Sequence, residues 1–206
     1  GFMGRSAGFD FMENTLWPSH TVGTKAGAPL VNGAGQSGGT LATDGWSNSS
    51  PVLKAGDVFT ITGVFRVHPE TKQSTGVQQQ FVVKADASSN GSGVASLQIS
   101  PAIVTSGAGQ NVSNAPGDNA PIQVAGTGGA AHGISMAYHK GAFAFATADM
   151  VMPRGVDFAA REVFDGVSMR IVRQYDINND KFPCRLDVLY GFQTLRPQLA
   201  CRLANN

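Results

Sequence analysis

Short runs in which every second residue is apolar, each ended by glycine, proline or asparagine, constrain this chain more than any other feature. In residues 57–62, Phe59 and Ile61 fall on one side and Thr60 and Thr62 on the other. A period of two is that of a half-buried strand. Gly63 follows, suiting a bulge or tight corner before Val64-Phe65-Arg66-Val67. Gln80-Phe81-Val82-Val83-Lys84 is a further run, and Ser96-Leu97-Gln98-Ile99 alternates again and is expected to stop at Pro101. Pro69, Gly76, Asn90-Gly91 and Gly93 punctuate these runs. Strands at this spacing predict a small antiparallel barrel or sandwich. The 26 glycines agree, as does a charged fraction of 14%, well under the usual ~25%.

Texture divides the chain into three segments. Residues 1–21 hold Phe9, Phe11, Leu16 and Trp17 in a stretch too short for its own core, so it is expected to dock elsewhere. Residues 22–130 are rich in Gly, Ser, Thr, Asn and Gln and carry the runs above. Within them, 106–129 has few large apolar side chains and reads as a long loop or weakly ordered connector. Residues 131–206 are more apolar. There, 135–147 fits a short helix followed by a strand, although periodicity alone does not decide it. In 167–173, Val167, Met169 and Ile171 share a face, opposite Ser168 and Arg170. In 184–190, Cys184, Leu186, Val188 and Tyr190 share a face, opposite Arg185 and Asp187. A turn at 176–180 links these two strands, and 199–203 makes a final short one. Residues 23–130 carry five basic and five acidic residues, and 131–206 carry nine and seven. The second block is either a solvated surface or one that meets a polar partner.

Motifs that carry chemistry lack their context. Gly33-Ala34-Gly35-Gln36-Ser37-Gly38 spells G-x-G-x-x-G, but no amphipathic helix follows, so it reads as a loop. Asp176, Asn178, Asp180 and Asp187 match four positions of a calcium loop, yet Lys181 stands where glycine is required. His20, His68, His132 and His139 have no metal-ligand spacing, and no nucleophile elbow occurs. Cys184 and Cys201 are expected to be reduced thiols. No catalytic residue, metal or cofactor is therefore expected. No apolar run approaches the ~20 residues of a membrane helix, so no membrane partner is expected either.

The last third carries a specific pattern. His132-Gly-Ile-Ser-Met-Ala-Tyr-His-Lys-Gly-Ala-Phe-Ala-Phe-Ala-Thr-Ala leads into Met152-Pro153-Arg154-Gly155. Then come the stretch from Ser168 to Asp180, Pro183-Cys-Arg-Leu-Asp-Val-Leu-Tyr-Gly191, and the stretch from Thr194 to Leu203. This resembles the closing region of tailed-phage major capsid proteins, of the gene-five coat protein type found in short-tailed phages. Ala7-Gly-Phe-Asp10 with Thr21-Val22-Gly23-Thr24 is similar to the entry into that family's inserted β-domain, and residues 54–64 resemble one of its strands.

The resemblance implies a mainly β chain, α+β overall. Residues 1–21 would be the entry segment of the axial domain and 22–130 an inserted β-barrel-like domain. Residues 131–206 would supply the returning axial and peripheral strands of the common tailed-phage capsid fold. The family's N-terminal arm, extended loop and long helix are not represented. With Gly1 in place of Met, this predicts a fragment or processed product, prone to aggregate. The implied function is a structural, non-enzymatic subunit of an icosahedral, DNA-containing shell built from pentamers and hexamers. Scaffolding and portal proteins would be partners, DNA contact would be non-specific, and the location would be the virion, with assembly in the host cytoplasm. A β-rich binding module, such as an adhesin or tail-fibre domain, is the alternative. Subunit-contact candidates are Arg170 and Arg173, on opposite faces of one strand, with Asp176, Asp180, Arg185 and Asp187.

Overall fold

The alternating runs are strands in the computed structural model, which describes residues 1–204. The chain divides into two units, Gly1–Ile134 with Ala204, and Ser135–Leu203.

In the first unit, β1 (Phe2–Ser6) and β2 (Phe9–Met12) form an exposed hairpin in which Arg5 faces Asp10. The short β3 (Ser19–Thr21) follows. Then come β4 (Gly27–Val31), β5 (Gly38–Trp46), β6 (Pro51–Leu53) and β7 (Val58–Val67). Next are β8 (Ser74–Val83), β9 (Ala87–Ser88), β10 (Ala95–Ile103) and β11 (Ile122–Val124). Six of these make one antiparallel sheet in the order β11-β7-β8-β10-β5-β4, while β6 pairs with β9. A bridge between Leu30 and Pro121, with the Val31 N–H donating to Ala120 O at 3.0 Å, joins the two ends of the sheet. The sheet therefore curls into a nearly closed barrel. Closure removes the edges at which unpaired backbone groups would invite aggregation.

The inward positions are those with the period of two. Phe59, Ile61, Phe81, Leu41 and Leu97 are fully buried. Phe59 and Phe81 lie directly opposite across β7 and β8, with ring centroids 5.7 Å apart and stacked. Buried polar groups are paired. Trp46 Nε1 donates to Thr43 Oγ1 at 2.8 Å, and that hydroxyl donates to Ala95 O at 2.8 Å.

Three expectations for this unit are refined. The register of β7 against β8 shifts between Thr60 and Phe65, so the Gly63 bulge interrupts one long strand instead of separating two. β10 runs through Pro101 to Ile103. Its register shifts between Gln98 and Ile103, where its pairing with β5 is interrupted and Ile99 and Ser100 pair with β8. At such an irregularity the missing N–H of proline costs little. Residues 106–129 are not a loose connector, because they supply β11 and the buried Val112 and Ile122, and so close the barrel. Their few apolar side chains are spaced too widely for a periodic signal, and backbone hydrogen bonds do most of the tethering.

The boundary between the units falls within β12 (Ala131–Tyr138), whose first three residues pair with β3. The further strands of the second unit are β13 (Phe143–Ala148), β14 (Phe158–Phe164), β15 (Val167–Arg173), β16 (Cys184–Asp187), β17 (Leu189–Thr194) and β18 (Ala200–Ala204). A 3-10 turn at Pro197–Leu199 precedes β18 and is the one helical element among the described residues. Residues 135–147 are thus strand, turn and strand, without the helix allowed from the sequence, since Phe143–Ala148 pair with Thr194–Leu189 along a full ladder. Residues 184–190 are two strands, because β16 pairs with β15 and β17 with β13. Burial differs sharply between the barrel segment and the second unit. Residues 22–130 expose one large apolar side chain, Val77, whereas Ser135–Leu203 exposes eighteen. Among the described residues of that second unit, only Ala142 and Ser168 are buried.

Two predictions follow from this contrast. Phe81→Ala should destabilise the barrel by about 3–5 kcal/mol in a denaturant titration, whereas Phe192→Ala, at a residue 80% exposed, should change the stability of this chain by less than about 0.5 kcal/mol. Residues 22–130 expressed alone should unfold cooperatively, with a urea midpoint close to that of the barrel in the whole chain.

Candidate subunit-contact site

Three antiparallel strands of the second unit carry the candidate charges. β14 and β15 form a hairpin about Asp165-Gly166, both with positive φ, which is the chemistry of a two-residue hairpin turn. β16 pairs with the outer half of β15. The register puts Arg161, Arg170 and Asp187 in one row across the three strands.

Two arginines side by side would repel each other, and each has its own acid. Arg170 binds Asp187 Oδ2 through Nη2 at 2.6 Å and Nε at 3.2 Å. Arg161 lies 3.4 Å from Asp149. Ser168 Oγ donates to Asp149 at 2.7 Å, and Arg170 also donates to Val151 O. The 149–151 segment therefore covers the polar face of β15. Ser168 is 4% exposed and the Arg170 side chain 14%, while Met169 on the apolar face is 45% exposed.

Asp187 is shared. Arg185 reaches its Oδ1 through Nε at 2.7 Å and its Oδ2 through Nη2 at 3.0 Å. The Arg170 hydrogen bonds, followed by those of Arg185, hold the Asp187 carboxyl below the usual carboxylate range. Two guanidinium groups on one carboxylate leave an unbalanced positive charge, carried by an Arg185 side chain that is 72% exposed.

The other candidates lie apart from this cluster. Arg173 points to the opposite face, bonds Asp157 through Nε at 3.0 Å, and sits 5.7 Å from the ring centroids of Phe158 and Phe182. Asp176 and Asp180 shape the turn. Asp176 accepts from the Asn179 side chain at 2.7 Å and the Asn178 N–H at 3.0 Å, which lower its pKa. Asp180 accepts from the Tyr175 hydroxyl at 2.9 Å, and this raises the phenol's pKa. The three partners that sequence reasoning missed are Asp149, Asp157 and Tyr175. Asp165-Gly166, taken as the hairpin axis, sets Phe158 opposite Arg173 and so brings Asp157 to that arginine.

The other motifs resolve as structure. Asp187 lies in a strand, away from the turn of Asp176, and no group of three potential metal-ligating residues occurs among the described residues. In the G-x-G-x-x-G segment, Gly33 and Gly35 N–H are taken by Asp118 Oδ1 and Pro116 O. The Gln36 amide bonds Asn32 O, Gly33 O and Ala42 O, and its Oε1 accepts the Ala42 N–H. Those amides are unavailable to a phosphate, and a strand follows. Both cysteines are free and exposed.

Residues 7–202 match the family model of the P22 coat protein, gene protein 5. The chain belongs to this family. It is a phage major capsid protein of the gene-five type, a structural subunit that assembles with other copies into the capsid of the virion. Nothing in the match favours the adhesin or tail-fibre alternative. Comparison with curated proteins gives no match. No helix among the described residues is long and apolar enough to cross a membrane.

The charge cluster of this coat protein predicts a pH response. A carboxylate with a depressed folded pKa contributes stability that is present above the ordinary carboxylate range and is lost as pH falls through the depressed value. Amide protection across β15 and β16 should therefore fall on acidification below the ordinary range. Asp187→Asn should start with weaker protection and lose this part of the pH dependence, as read by hydrogen exchange.

Proposed function

We propose that copies of this capsid subunit close an icosahedral shell as pentamers and hexamers, mainly through the strands of residues 131–206. The observation that carries this reading is the contrast in surface. The barrel hides its apolar residues, whereas the last segment leaves rows of them open on paired strands. Large apolar patches on a rigid frame mark surfaces that are covered in the working assembly. Residues 1–21 act as the entry segment of the axial domain, 22–130 as the inserted barrel, and 131–206 as the returning axial and peripheral strands. Contacts between unlike surfaces close into rings and shells, and many weak ones suffice because each copy is held several times over.

In this reading Arg185 and Arg173 are the outward cations, and Asp176 and Asp180 are acceptors for a neighbouring copy. Arg170 and Asp187 set the geometry from within. The role is structural and not catalytic. Scaffolding and portal proteins are partners during assembly in the host cytoplasm. Packaged DNA is met only non-specifically, because a net charge of +1 supplies no basic stripe.

Arg185→Glu tests the contact in full-length coat protein. The variant should remain folded yet assemble into shells more slowly and less completely, as followed by sedimentation and negative-stain electron microscopy. The wild-type rate should fall as salt screens the pair. Assembly at the wild-type rate and yield would remove Arg185 from the interface.

A further inference from the structure

Where the chain enters and leaves the barrel, several elements converge on one carboxylate. Asp57 is buried just before β7. Its Oδ1 accepts from His20 Nε2 at 2.7 Å, and its Oδ2 accepts the Gly23 and Lys54 N–H groups at 3.0 and 2.8 Å. A buried carboxylate is tolerated only when its acceptor sites are filled this way. His20 lies on β3, the way in, and His132 is its cross-strand partner on β12, the way out. The two rings meet edge to face at 5.5 Å. Alongside, the Val22 N–H donates to Ala130 O at 3.0 Å and the Gly129 N–H donates to Val22 O at 3.1 Å. A side chain at Gly23 would lie 2.6 Å from Leu53 Cα, so the incoming strand is pressed flat against the barrel wall.

The ribbon of β3 and the start of β12 has only three residue pairs of its own. β3 is the edge strand of a three-stranded sheet, β18-β12-β3, and so short an edge strand is marginal without a further tether. Gly23 and Lys54 already belong to the barrel end of this region. His20 is the one side chain through which Asp57 reaches the ribbon itself.

We infer that the His20–Asp57 contact is a latch that fastens the entry and exit ribbon to the barrel, so that the ribbon can loosen while the barrel stays folded. The barrel's own core lies on other residues, from Phe59 to Leu97. The latch therefore controls the attachment of the barrel and not its fold, and His20 acts as a positioning residue.

Residue-resolved hydrogen exchange on the 206-residue chain tests this. In His20→Ala, the Val22 and Gly129 amides should exchange about tenfold faster or more, as expected for losing one hydrogen bond to a charged group. The Thr62 and Lys84 amides, bonded within the barrel to Pro121 O and Gln98 O, should be unchanged. His20→Gln, which keeps an N–H donor of similar reach, should restore most of the protection. Unchanged ribbon amides would overturn the proposal. So would equal acceleration or unfolding of the barrel, because the contact would then be part of the core. Failure of glutamine to rescue would assign the effect to ring packing against His132 and overturn the latch as well.

Discussion

The structure depends on satisfying the backbone at the ends of a six-stranded sheet. A strongly twisted sheet of this size either keeps two open edges or curls until they meet. Here they meet through a few backbone contacts near Leu30, Val31, Ala120 and Pro121. Because the ends join, the inward faces of β5, β7, β8 and β10 can enclose Phe59, Phe81, Leu41 and Leu97 with almost no apolar residue left outside. The segment that brings β11 into place is poor in large side chains, and its work is done by main-chain groups and single plugs such as Val112.

That division of labour explains what was legible in the sequence. Strands whose period of two coincides with burial, such as Val58–Val67, were readable from Phe59 and Ile61 alone. The 106–129 stretch was not, because its fold is written in backbone hydrogen bonds and a three-residue strand. The helix allowed near residue 140 failed for a related reason. A short apolar stretch is ambiguous until its partner is known, and the partner, Leu189–Thr194, lies about fifty residues away in sequence. Likewise, nothing local divides residues 184–190, since the break comes from two different neighbours.

At the charged site, residue types were legible but pairings were not. Arg170 and Arg173 were placed on opposite faces by alternation, as they are. Which acid each meets depends on register and on the 149–151 segment crossing the sheet, and that segment has no periodic signal. The covered face of β15 is consequently the polar one, with Ser168 and Arg170 inward and Met169 outward. Within a chain destined for a shell, such an arrangement leaves apolar surface available for covering by other parts of the assembly. The ion pairs are consumed locally in holding the strands in register.

The antiparallel pairing of β3 with β12 also bears on how this coat protein changes over time. Thr21 and Ala131 are direct partners, so about 5 Å separates the points where more than a hundred residues begin and end. A module hung from two adjacent points scarcely disturbs the path of the chain that bears it. Its sequence is free to drift, lengthen or be exchanged so long as the two attachment strands still meet. A change confined to the barrel can therefore leave the pairing of Thr21 with Ala131 as it is.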